Sequence, residues 1–161
     1  MKIEVRRATR EDAPSIARFA MKLVEQHVAY DPVRFARIAT IDGMEWFYGG
    51  QTEADDAAVL VAELDGEVFG FAYLGYEEKN YADLAITTAR LHDIYVDENA
   101  RRTGAGRELI RASIEVAKEF GASKILLSVA AMNTAGKEFF EQAGFATTMH
   151  EMMLIPGGES E

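Results

Sequence analysis

Residues 91–106 read Leu-His-Asp-Ile-Tyr-Val-Asp-Glu-Asn-Ala-Arg-Arg-Thr-Gly-Ala-Gly, and this stretch decides how the rest of the chain can fold. Its apolar residues predict a short strand that ends at Val96, before the polar run Asp97–Asn99. A basic turn with two glycines then leads into an amphipathic helix over Arg107–Phe120. A strand, a glycine turn and a helix in this order present backbone N–H groups and a helix dipole together, which favours a phosphate group.

The charge of the turn also favours an anion. Four arginines lie within eleven residues, at positions 101, 102, 107 and 111, although the whole chain has a formal net charge of -10. Two familiar nucleotide motifs do not fit. The turn lacks the Gly-x-x-x-x-Gly-Lys sequence of a P-loop, and Leu109 stands where the dinucleotide fingerprint needs its third glycine. The turn alone therefore indicates a phosphate ligand without identifying it.

Composition limits the class of protein. The 161 residues suit one domain, and a hydrophobic content of 48% is typical of a soluble globular protein. The chain has no cysteine, and its three histidines are too dispersed to predict a metal site. No apolar run reaches the length of a membrane span, and residues 1–10 lack the apolar core of a signal peptide, so we expect a cytoplasmic protein. The acidic balance argues against nucleic acid as a partner.

Hydrophobic periodicity predicts the remaining elements. The first half should begin with a strand at Ile3–Ala8 and a helix that follows Thr9-Arg-Glu-Asp12 and ends near Pro32. A second short helix should run from Val33 to about Thr40. The strands Ala57–Leu64 and Glu67–Tyr76 should then form a hairpin around Asp65-Gly66. The second half should contain a strand at Lys124–Ala130, a helix from Thr134 to about Ala143, and a final strand at Phe145–Leu154. Asp42–Asp56 is left unassigned, and Glu77–Ile86 is predicted to be a polar connection. This order predicts one α/β (α+β) domain with a mixed sheet and helices on both faces.

Three motifs occur in matching structural contexts. The first motif, Arg101-x-x-Gly104-x-Gly106, follows a predicted strand. The second motif lies one helix and one strand further along the chain and reads Asn133-Thr-Ala135, then Phe139-Phe140-Glu-Gln-Ala-Gly144-Phe145. The opening Val5-Arg6-Arg7-Ala8-Thr9 precedes the first helix. Together they resemble the GNAT N-acetyltransferase superfamily. The resemblance implies a twisted, mostly antiparallel sheet with a splayed central pair of strands, in a domain of residues 1–156 followed by a flexible tail at 157–161.

The resemblance implies acetyl-CoA as the co-substrate and no metal. The pantetheine arm would lie in a gap between the strands Arg90–Val96 and Lys124–Ala130, hydrogen-bonded to the backbone of Ile94 and Val96. The pyrophosphate would lie against main-chain N–H groups of the turn, which comprises Arg101, Arg102, Thr103, Gly104, Ala105, Gly106 and Arg107. From the late motif, Asn133, Ala135 and Phe140 would also contact the cofactor.

The reaction that the resemblance implies is direct attack of an amine on the thioester. Because an alkylamine is mostly protonated near neutral pH, a base must remove its proton. Asp93 has the family's position for such a group and resembles the acidic pair of the diamine and polyamine acetyltransferases, but His92 stands where those have glutamate. Either residue can be the base, directly or through water. Each can equally be structural, His92 as a hydrogen-bonded sheet residue and Asp93 as a carboxylate that orients a strand end.

One position departs from the family pattern. The tyrosine that protonates the departing CoA thiolate in many members would fall at Phe140, which has no proton to donate. Tyr95 is another candidate acid, although a half-buried strand aromatic is the commoner role for such a residue. The thiolate can also leave unaided, since the pKa of a free thiol is only about 8.5. The alternative function is therefore a non-catalytic acyl-CoA-binding or regulatory module.

The acceptor is expected to be a small polyamine-like amine or a peptide amine. The regions that form the acceptor side in the family contain acids mixed with aromatics, which suit a cation with an apolar body, or which form an ordinary solvated surface over core aromatics. These residues are Glu25, His27, Tyr30, Asp31, Glu45, Trp46, Tyr76, Glu77, Glu78 and Tyr81. A homodimer is a further expectation, because the Met-rich final strand can pair across an interface, or else lie in the core.

Overall fold

The computed structural model describes residues 2–158, and within them the chain forms five β-strands and four α-helices. In chain order they are β1 (Glu4–Arg7), α1 (Ala13–Tyr30), α2 (Ile41–Gln51), β2 (Ala57–Leu64), β3 (Glu67–Asn80), β4 (Ala85–Val96), α3 (Ala105–Phe120), β5 (Lys124–Leu126) and α4 (Thr134–Gln142). The strands form one sheet in the order β1-β2-β3-β4-β5, antiparallel except for the parallel pair β4–β5. The predicted α/β (α+β) fold with a mixed, mostly antiparallel sheet is confirmed.

Two hydrophobic clusters lie on opposite faces of the sheet. On one face, Ile16 of α1 and Tyr48 of α2 pack with Phe71 of β3. On the other face, Leu109 of α3 packs with Leu74, three residues further along β3. Successive residues of a strand point to opposite faces, so the apolar run in β3 supplies both clusters. Helices therefore cover both faces, as the order of elements predicts.

The pair β4–β5 separates after a short ladder. Arg90 pairs with Leu126, and beyond that point β4 continues to Val96 with a strand partner, among the described residues, only on its β3 side. Asp97 donates its N–H to the carbonyl of Phe69 on β3. Residues two apart in a strand direct their backbone groups to the same side, so the N–H and C=O groups of Ile94 and Val96 face away from β3. The predicted splay is confirmed, and it leaves a gap lined by backbone groups.

The second helix lies later in the chain than its pattern predicts. The predicted helix from Val33 to Thr40 is wrong, because residues 35–40 have no regular structure and α2 begins at Ile41. Thr40 is its N-cap, and its hydroxyl accepts a hydrogen bond from the N–H of Gly43 at 3.1 Å. Three glycines in this region weaken its helix propensity in the sequence. Packing explains the glycine at position 49, since a Cβ there would lie 3.1 Å from an Arg10 guanidinium nitrogen.

The central strands are longer and the last one shorter than predicted. The predicted polar connection Glu77–Ile86 is wrong, because β3 extends to Asn80 and β4 begins at Ala85. A four-residue loop joins them, and the side-chain Oδ1 of Asn80 accepts the N–H of Asp83 at 3.0 Å. Of the predicted strand Lys124–Ala130, only the first three residues pair with β4.

Residues 143–158, which follow α4, do not join the sheet. The predicted final strand Phe145–Leu154 is wrong within this chain, since the described residues beyond Gly144 form no ladder with any strand. A turn follows, in which the N–H of Gly158 donates to the carbonyl of Ile155. Of the predicted tail at 157–161, residues 159–161 lie outside the described residues, and the domain boundary at 156 stays a prediction. No helix within residues 2–158 is both long and apolar enough to cross a lipid bilayer.

Candidate active site

A β-bulge in β4 brings His92 and Asp93 to the same face of the sheet. The ladder pairs Tyr73 with Asp93 and Leu74 with Leu91, so His92 is an extra residue in β4. In a regular strand, neighbouring side chains would point to opposite faces. Here the His92 ring stacks on Tyr73, with ring centroids 5.0 Å apart, and Asp93 is hydrogen-bonded to a side chain of α2. Both residues therefore lie on the face that α1 and α2 cover.

Gly75 makes room for the histidine ring. Two residues beyond Tyr73 on β3, it lies on the same face, and a Cβ built on it would be 3.1 Å from Nε2 of His92. A side chain at this position would press against the imidazole. The bulge and the glycine together set the position of the ring.

Tyr48 of α2 is the partner of Asp93. Its hydroxyl donates a hydrogen bond to Oδ2 of Asp93 at 2.7 Å, and its ring is only 4% exposed, edge-on to Phe71 and Tyr73. Burial raises the pKa of the Tyr48 hydroxyl well above its usual value, so the hydroxyl keeps its proton and acts as a donor. The sequence did not indicate a role for Tyr48, which lies in the unassigned segment Asp42–Asp56. No local pattern predicts its contact with Asp93, because the two residues are 45 positions apart.

The two titratable groups of the bulge are shifted in opposite directions. Burial raises the pKa of the Asp93 carboxyl, against the hydrogen bond from Tyr48, which lowers it. Burial lowers the pKa of His92, against the charge of Asp93, which raises it. His92 is consequently a neutral imidazole near neutral pH. Burial makes an ionised Asp93 carboxylate more basic than usual, and both shifts suit groups that accept protons.

Tyr95 lies on the same face, two residues further along β4. Its ring stacks on Phe19 of α1 with centroids 5.5 Å apart, and only 6% of the residue is exposed. Its hydroxyl points toward Oδ1 of Asp97 at 3.4 Å, and Asp97 in turn forms a 3.0 Å ion pair with Lys22. Burial raises the pKa of the Tyr95 hydroxyl. Tyr95 can therefore hold a proton at the border of the site.

A cleft of about 540 Å³ opens between α1 and the end of β4. Its lining mixes apolar, acidic and basic side chains and comprises Met21, Lys22, Glu25, Gln26, Tyr95, Glu98 and Arg101. Glu25 is already paired, since it accepts hydrogen bonds of 2.9 to 3.1 Å from Arg37 in the connection between α1 and α2. The cleft is large enough for a small amine or the end of a peptide chain.

The basic turn after β4 has the geometry of an anion site. Gly104, the N-cap of α3, has φ +90°, and a Cβ built on it would meet nothing within 4 Å. The first-turn amides of α3 lack intrahelical acceptors, and those of Gly106 and Arg107 have no backbone partner among the described residues. Arg101 donates from Nε to the carbonyl of Val96 at 3.2 Å. Arg102 also has positive φ, at +65°, and its side chain is exposed.

The second glycine of the turn has a different role. A Cβ on Gly106 would lie 3.1 Å from Cζ of Phe139, so this glycine allows α4 to pack closely on the start of α3. Beside this contact is a groove of about 230 Å³, lined by Arg107, Ile110, Arg111, Ile114, Phe139, Gln142 and Ala143. The groove continues the basic turn along α3, and Arg107 is at the junction.

A family model for the acetyltransferase (GNAT) family matches residues 18–145, which include the bulge, the cleft and the basic turn. The chain belongs to the GNAT acetyltransferase family. It is accordingly an acetyl-CoA-dependent acetyltransferase. The predicted family is confirmed, whereas its diamine and polyamine branch is not distinguished from the others.

Relatives and solved structures agree with this assignment. The uncharacterised N-acetyltransferase YhfO of Bacillus subtilis is 26% identical over 147 residues, which are 89% of each chain. Five further curated relatives match over only 30% to 66% of their own lengths. The BH1408 protein of Bacillus halodurans, solved as a tetramutant, has a TM-score of 0.81 at 22% identity, over 94% of this chain and 99% of that one. AAC(6')-Iy, solved with a bisubstrate analogue, CoA-S-monomethyl-acetylneamine, has a TM-score of 0.79 at 17% identity, over 96% and 98%.

The late motif of the acetyltransferase has clear structural roles. Asn133 is the N-cap of α4, and its Oδ1 accepts the N–H of Gly136 at 2.9 Å. Ala135 is exposed in the first turn of this helix. Phe140 packs edge-on to Phe139 and Phe145, at 5.4 and 5.9 Å. The roles of these residues toward the cofactor stay predictions.

The acceptor side of the acetyltransferase is only partly assembled from the predicted residues. Tyr76 lies on the opposite face, where its ring stacks on Phe120 at 5.5 Å. His27 is tied to the carbonyl of Leu23 by a 2.7 Å hydrogen bond, and Asp31 accepts two backbone N–H groups in the turn after α1. Of the remaining aromatics, Tyr30 packs edge-on to His27 with ring centroids 5.9 Å apart, and Trp46 and Tyr81 are 78% and 83% exposed. Within residues 2–158, no group of three or more His, Asp or Glu side chains is placed to hold a metal ion.

Proposed function

We propose that this acetyltransferase transfers the acetyl group of acetyl-CoA to a primary amine by direct attack, with Asp93 and His92 as the groups that take the amine's proton. The single observation that carries the proposal is the bulge, which places two proton acceptors on one face of β4 next to the gap between β4 and β5. A proton acceptor and a thioester site in the same place are what amide formation from an ammonium ion needs.

The residues around the gap fit CoA. Backbone groups of Ile94 and Val96 face the gap without a strand partner and suit the amides of a pantetheine arm. At the end of the gap, the amides of Gly106 and Arg107, the open backbone at Gly104 and the cationic side chains suit a pyrophosphate. The groove beside Arg107 would then take the adenosine end.

Proton removal comes first in the proposed reaction. The ammonium group of the acceptor pairs with Asp93 and gives up a proton to Asp93, or through water to His92. The free amine attacks the thioester carbonyl, so that a C–N bond forms, the C–S bond breaks, and the nitrogen loses its second proton to solvent or to the departing sulfur. The N–H of Ile94, which faces the gap, is a donor for the oxygen that becomes negative. Tyr48 holds the carboxylate in place through its hydrogen bond and is a positioning residue.

The thiolate leaves either with a proton from Tyr95 or without one. Phe140 packs among Phe139 and Phe145 and has no acidic proton, so it has no part in this step. Tyr95 retains its proton because burial raises the pKa of its hydroxyl. Unaided departure is chemically acceptable, since thiolate is a fair leaving group.

The cleft between α1 and β4 supports an amine as acceptor, either a small polyamine-like molecule or a peptide amine. Glu98 offers a carboxylate and Tyr95 an aromatic edge at its wall, which suit a cation with an apolar body. Because Glu25 is already paired with Arg37, Glu98 is the acidic side chain of the cleft that is left for the acceptor. A screen of primary amines for release of free CoA thiol tests the proposal. The alternative, a non-catalytic acyl-CoA-binding module, predicts binding of acetyl-CoA without turnover of any amine.

Charge reversal at Arg102 should weaken CoA binding by about tenfold, because a favourable contact to the pyrophosphate becomes a repulsion. Calorimetry with CoA, NAD and ATP measures the effect and the choice of ligand together. Arg18→Glu is the matched control, since Arg18 is exposed on α1 and its side chain bonds only Ser15 among the described residues. Equal CoA affinity of the Arg102→Glu variant and the parent would remove the turn from the cofactor site. Tight binding of NAD or ATP alone would reject CoA.

Tyr48→Phe should move the acid limb of the kcat/KM profile to higher pH. The lost hydrogen bond stabilises the ionised carboxylate, so without it the pKa of Asp93 rises further and the basic form is lost at a higher pH. At neutral pH the loss should be about tenfold, the value of one hydrogen bond to a charged group. Tyr76→Phe is the control, because Tyr76 lies on the other face of the sheet. An acid limb that stays in place in the Tyr48→Phe variant would show that ionisation of Asp93 does not limit the reaction.

A further inference from the structure

The imidazole of His92 is held by packing and not by hydrogen bonds. Neither of its ring nitrogens has a hydrogen-bond partner among the described residues, whereas Nδ1 of His27 lies 2.7 Å from the carbonyl oxygen of Leu23. Part of His92 is also exposed to solvent. A histidine in this situation is ordinarily free to turn about its last side-chain torsion. A proton acceptor has to keep its nitrogen within reach of the proton that it takes, so another contact must fix the ring.

The ring of Tyr73 provides the flat surface on which this imidazole lies. The two rings are nearly parallel, with 22° between their planes and 5.0 Å between their centroids. Gly75, two residues further along β3, leaves space for the edge of the imidazole that carries Nε2. Tyr73 also pairs with Asp93 across the two strands. A single aromatic ring thus lies beside both of the proposed proton acceptors.

Tyr73 is itself fixed by α2. Phe47 and Tyr48 pack at right angles to its ring, with centroids 5.6 and 5.7 Å away. Its hydroxyl donates a hydrogen bond to Oε1 of Gln51 at 2.9 Å. Burial raises the pKa of the Tyr73 hydroxyl, so the hydroxyl keeps the proton that it donates. Two ring contacts and a hydrogen bond at the tip of the side chain leave Tyr73 a single orientation.

One turn of α2 therefore holds both proton acceptors. Tyr48 and Gln51 are three residues apart, so their side chains lie on the same side of the helix. Tyr48 holds Asp93 directly, through its hydrogen bond. Gln51 holds Tyr73, and His92 stacks on Tyr73. The orientation of the imidazole thus depends on the stacked ring and, through it, on α2.

We propose that Tyr73 is the positioning residue of His92 in acetyl transfer, with its ring as the surface that orients the imidazole and Gln51 as the residue that fixes the ring. The inference rests on the proposed function, because it gives His92 a part in removal of the amine's proton. Tyr73 does not take this proton, since its hydroxyl stays protonated and bonded to Gln51. A small misplacement of a reacting group can cost up to about 100-fold in rate, so the restraint is worth a large factor.

Two substitutions separate the ring of Tyr73 from its hydroxyl. Tyr73→Phe keeps the stacking surface, whereas Tyr73→Leu removes it and leaves an apolar side chain. The first readout is the NMR spectrum of the unliganded full chain, which contains three histidines, and the ring signals of His92 are identified by their loss in a His92→Gln variant. In the parent the ring current of Tyr73 should shift these signals to higher field. The shift should persist in Tyr73→Phe and disappear in Tyr73→Leu.

The pH titration of the same signals gives the pKa of His92. Burial lowers this pKa, while among the charged groups around the ring Asp93 and Glu77 raise it and Arg90 lowers it. These charged groups remain in both variants, so burial is what changes. In Tyr73→Leu water reaches the uncovered face of the imidazole, and the pKa should rise toward its usual value of about 6.5. In Tyr73→Phe it should stay low.

Kinetics with an amine from the acceptor screen are the second readout. We expect kcat/KM for the amine to fall by about tenfold or more in Tyr73→Leu and to stay close to the parent value in Tyr73→Phe, with the KM for acetyl-CoA unchanged in both. Gln51→Leu removes the hydrogen-bond acceptor and leaves the buried ring in place, so it provides the test if Tyr73→Leu does not fold. It should shift the His92 signals and lower kcat/KM in the same direction, by smaller amounts.

Tyr76→Leu is the matched control. Tyr76 also lies on β3 and stacks on an aromatic ring, that of Phe120, but on the opposite face of the sheet. Its loss removes a similar contact and should change neither the signals of His92 nor kcat/KM.

The proposal is overturned if the His92 signals are the same in the parent and in the Tyr73→Leu and Gln51→Leu variants. It is also overturned if these signals move in the variants while kcat/KM keeps the parent value. A parent chain that releases no CoA thiol with any amine would instead reject the proposed function. The spectra of the unliganded chains would still decide whether Tyr73 orients His92.

Discussion

Asp93→Asn should lower kcat/KM by about 100-fold or more and, at the same time, raise the melting temperature. The loss of activity follows from removal of a proton acceptor, which is typically worth about 10²–10⁴ in rate. The geometry should persist, because the Asn oxygen can still accept the hydrogen bond from the Tyr48 hydroxyl. The gain in stability follows from the environment of the carboxyl. Burial raises its pKa, so the folded state disfavours the charged form.

The sign of the stability effect depends on proton binding. Unfolded, Asp93 has the usual pKa of about 3.9, while in the folded chain the pKa is raised. Between these two values the folded state holds more protons, so the stability contributed by Asp93 falls as pH rises. Above the folded pKa, the full cost of the charge remains. Removal of the charge should therefore raise the melting temperature by about 2–4 °C for each kcal/mol recovered.

Asp55→Asn is the matched control for this experiment. Asp55 is exposed in the loop before β2 and has no hydrogen-bond partner among the described side chains, so the same change there should alter neither quantity. Steady-state kinetics and calorimetric melting on the three proteins make the comparison. An Asp93→Asn variant with full activity would remove Asp93 from the chemistry. One with a lower melting temperature would mean that the charge stabilises the fold.

Gly104→Val should abolish most CoA binding with only a modest loss of stability. At φ +90° a β-branched residue is strained, so the turn must take another shape, and the amides that follow Gly104 move away from their common direction. We expect the Kd for CoA to rise by more than about tenfold, since several hydrogen bonds to a charged ligand are lost together. The strain itself should cost about 1–2 kcal/mol.

Gly66→Val controls for the strain. Gly66 has φ +81° in the hairpin between β2 and β3, and a Cβ there also meets nothing within 4 Å. The two substitutions thus impose the same kind of strain at an equally open position. Both variants should melt at similarly lowered temperatures, but only Gly104→Val should lose affinity for CoA in calorimetry. Equal affinities in the two variants would mean that the shape of the turn at Gly104 has no part in binding the cofactor.

The sequence predicts the local structure of the proposed cofactor side better than that of the proposed chemical side. A strand, a glycine turn and a helix are local features, so Val96–Gly106 can be recognised from consecutive residues. The bulge at His92 cannot be recognised from consecutive residues, because it depends on the register between β3 and β4, and no residue of β4 by itself indicates a bulge. The pattern therefore left His92 and Asp93 as separate candidates. Only the fold places them on one face.

Two other features were out of reach for related reasons. The contact between Tyr48 and Asp93 joins residues 45 positions apart, in a helix whose glycines hide its periodicity. The final strand at Phe145–Leu154 was predicted from its apolar residues, and its composition is indeed that of a strand. Composition cannot identify the partner strand, and within residues 2–158 this segment pairs with none. The sequence thus indicates which segments favour the strand conformation, whereas the pairing between strands is set by the folded molecule.

In the proposed function, the face of β4 that carries His92 and Asp93 is where acetyl passes from acetyl-CoA to a primary amine. The most direct measurement is release of free CoA thiol from acetyl-CoA across a panel of diamines, polyamines, aminoglycosides and peptide amines, with mass spectrometry of the acceptor. We predict amine-dependent release with an acetylated product for the parent chain, and loss of both in the Asp93→Asn variant at unchanged CoA affinity. Tight binding of acetyl-CoA with no amine-dependent release, or an Asp93→Asn variant as active as the parent, would contradict the account.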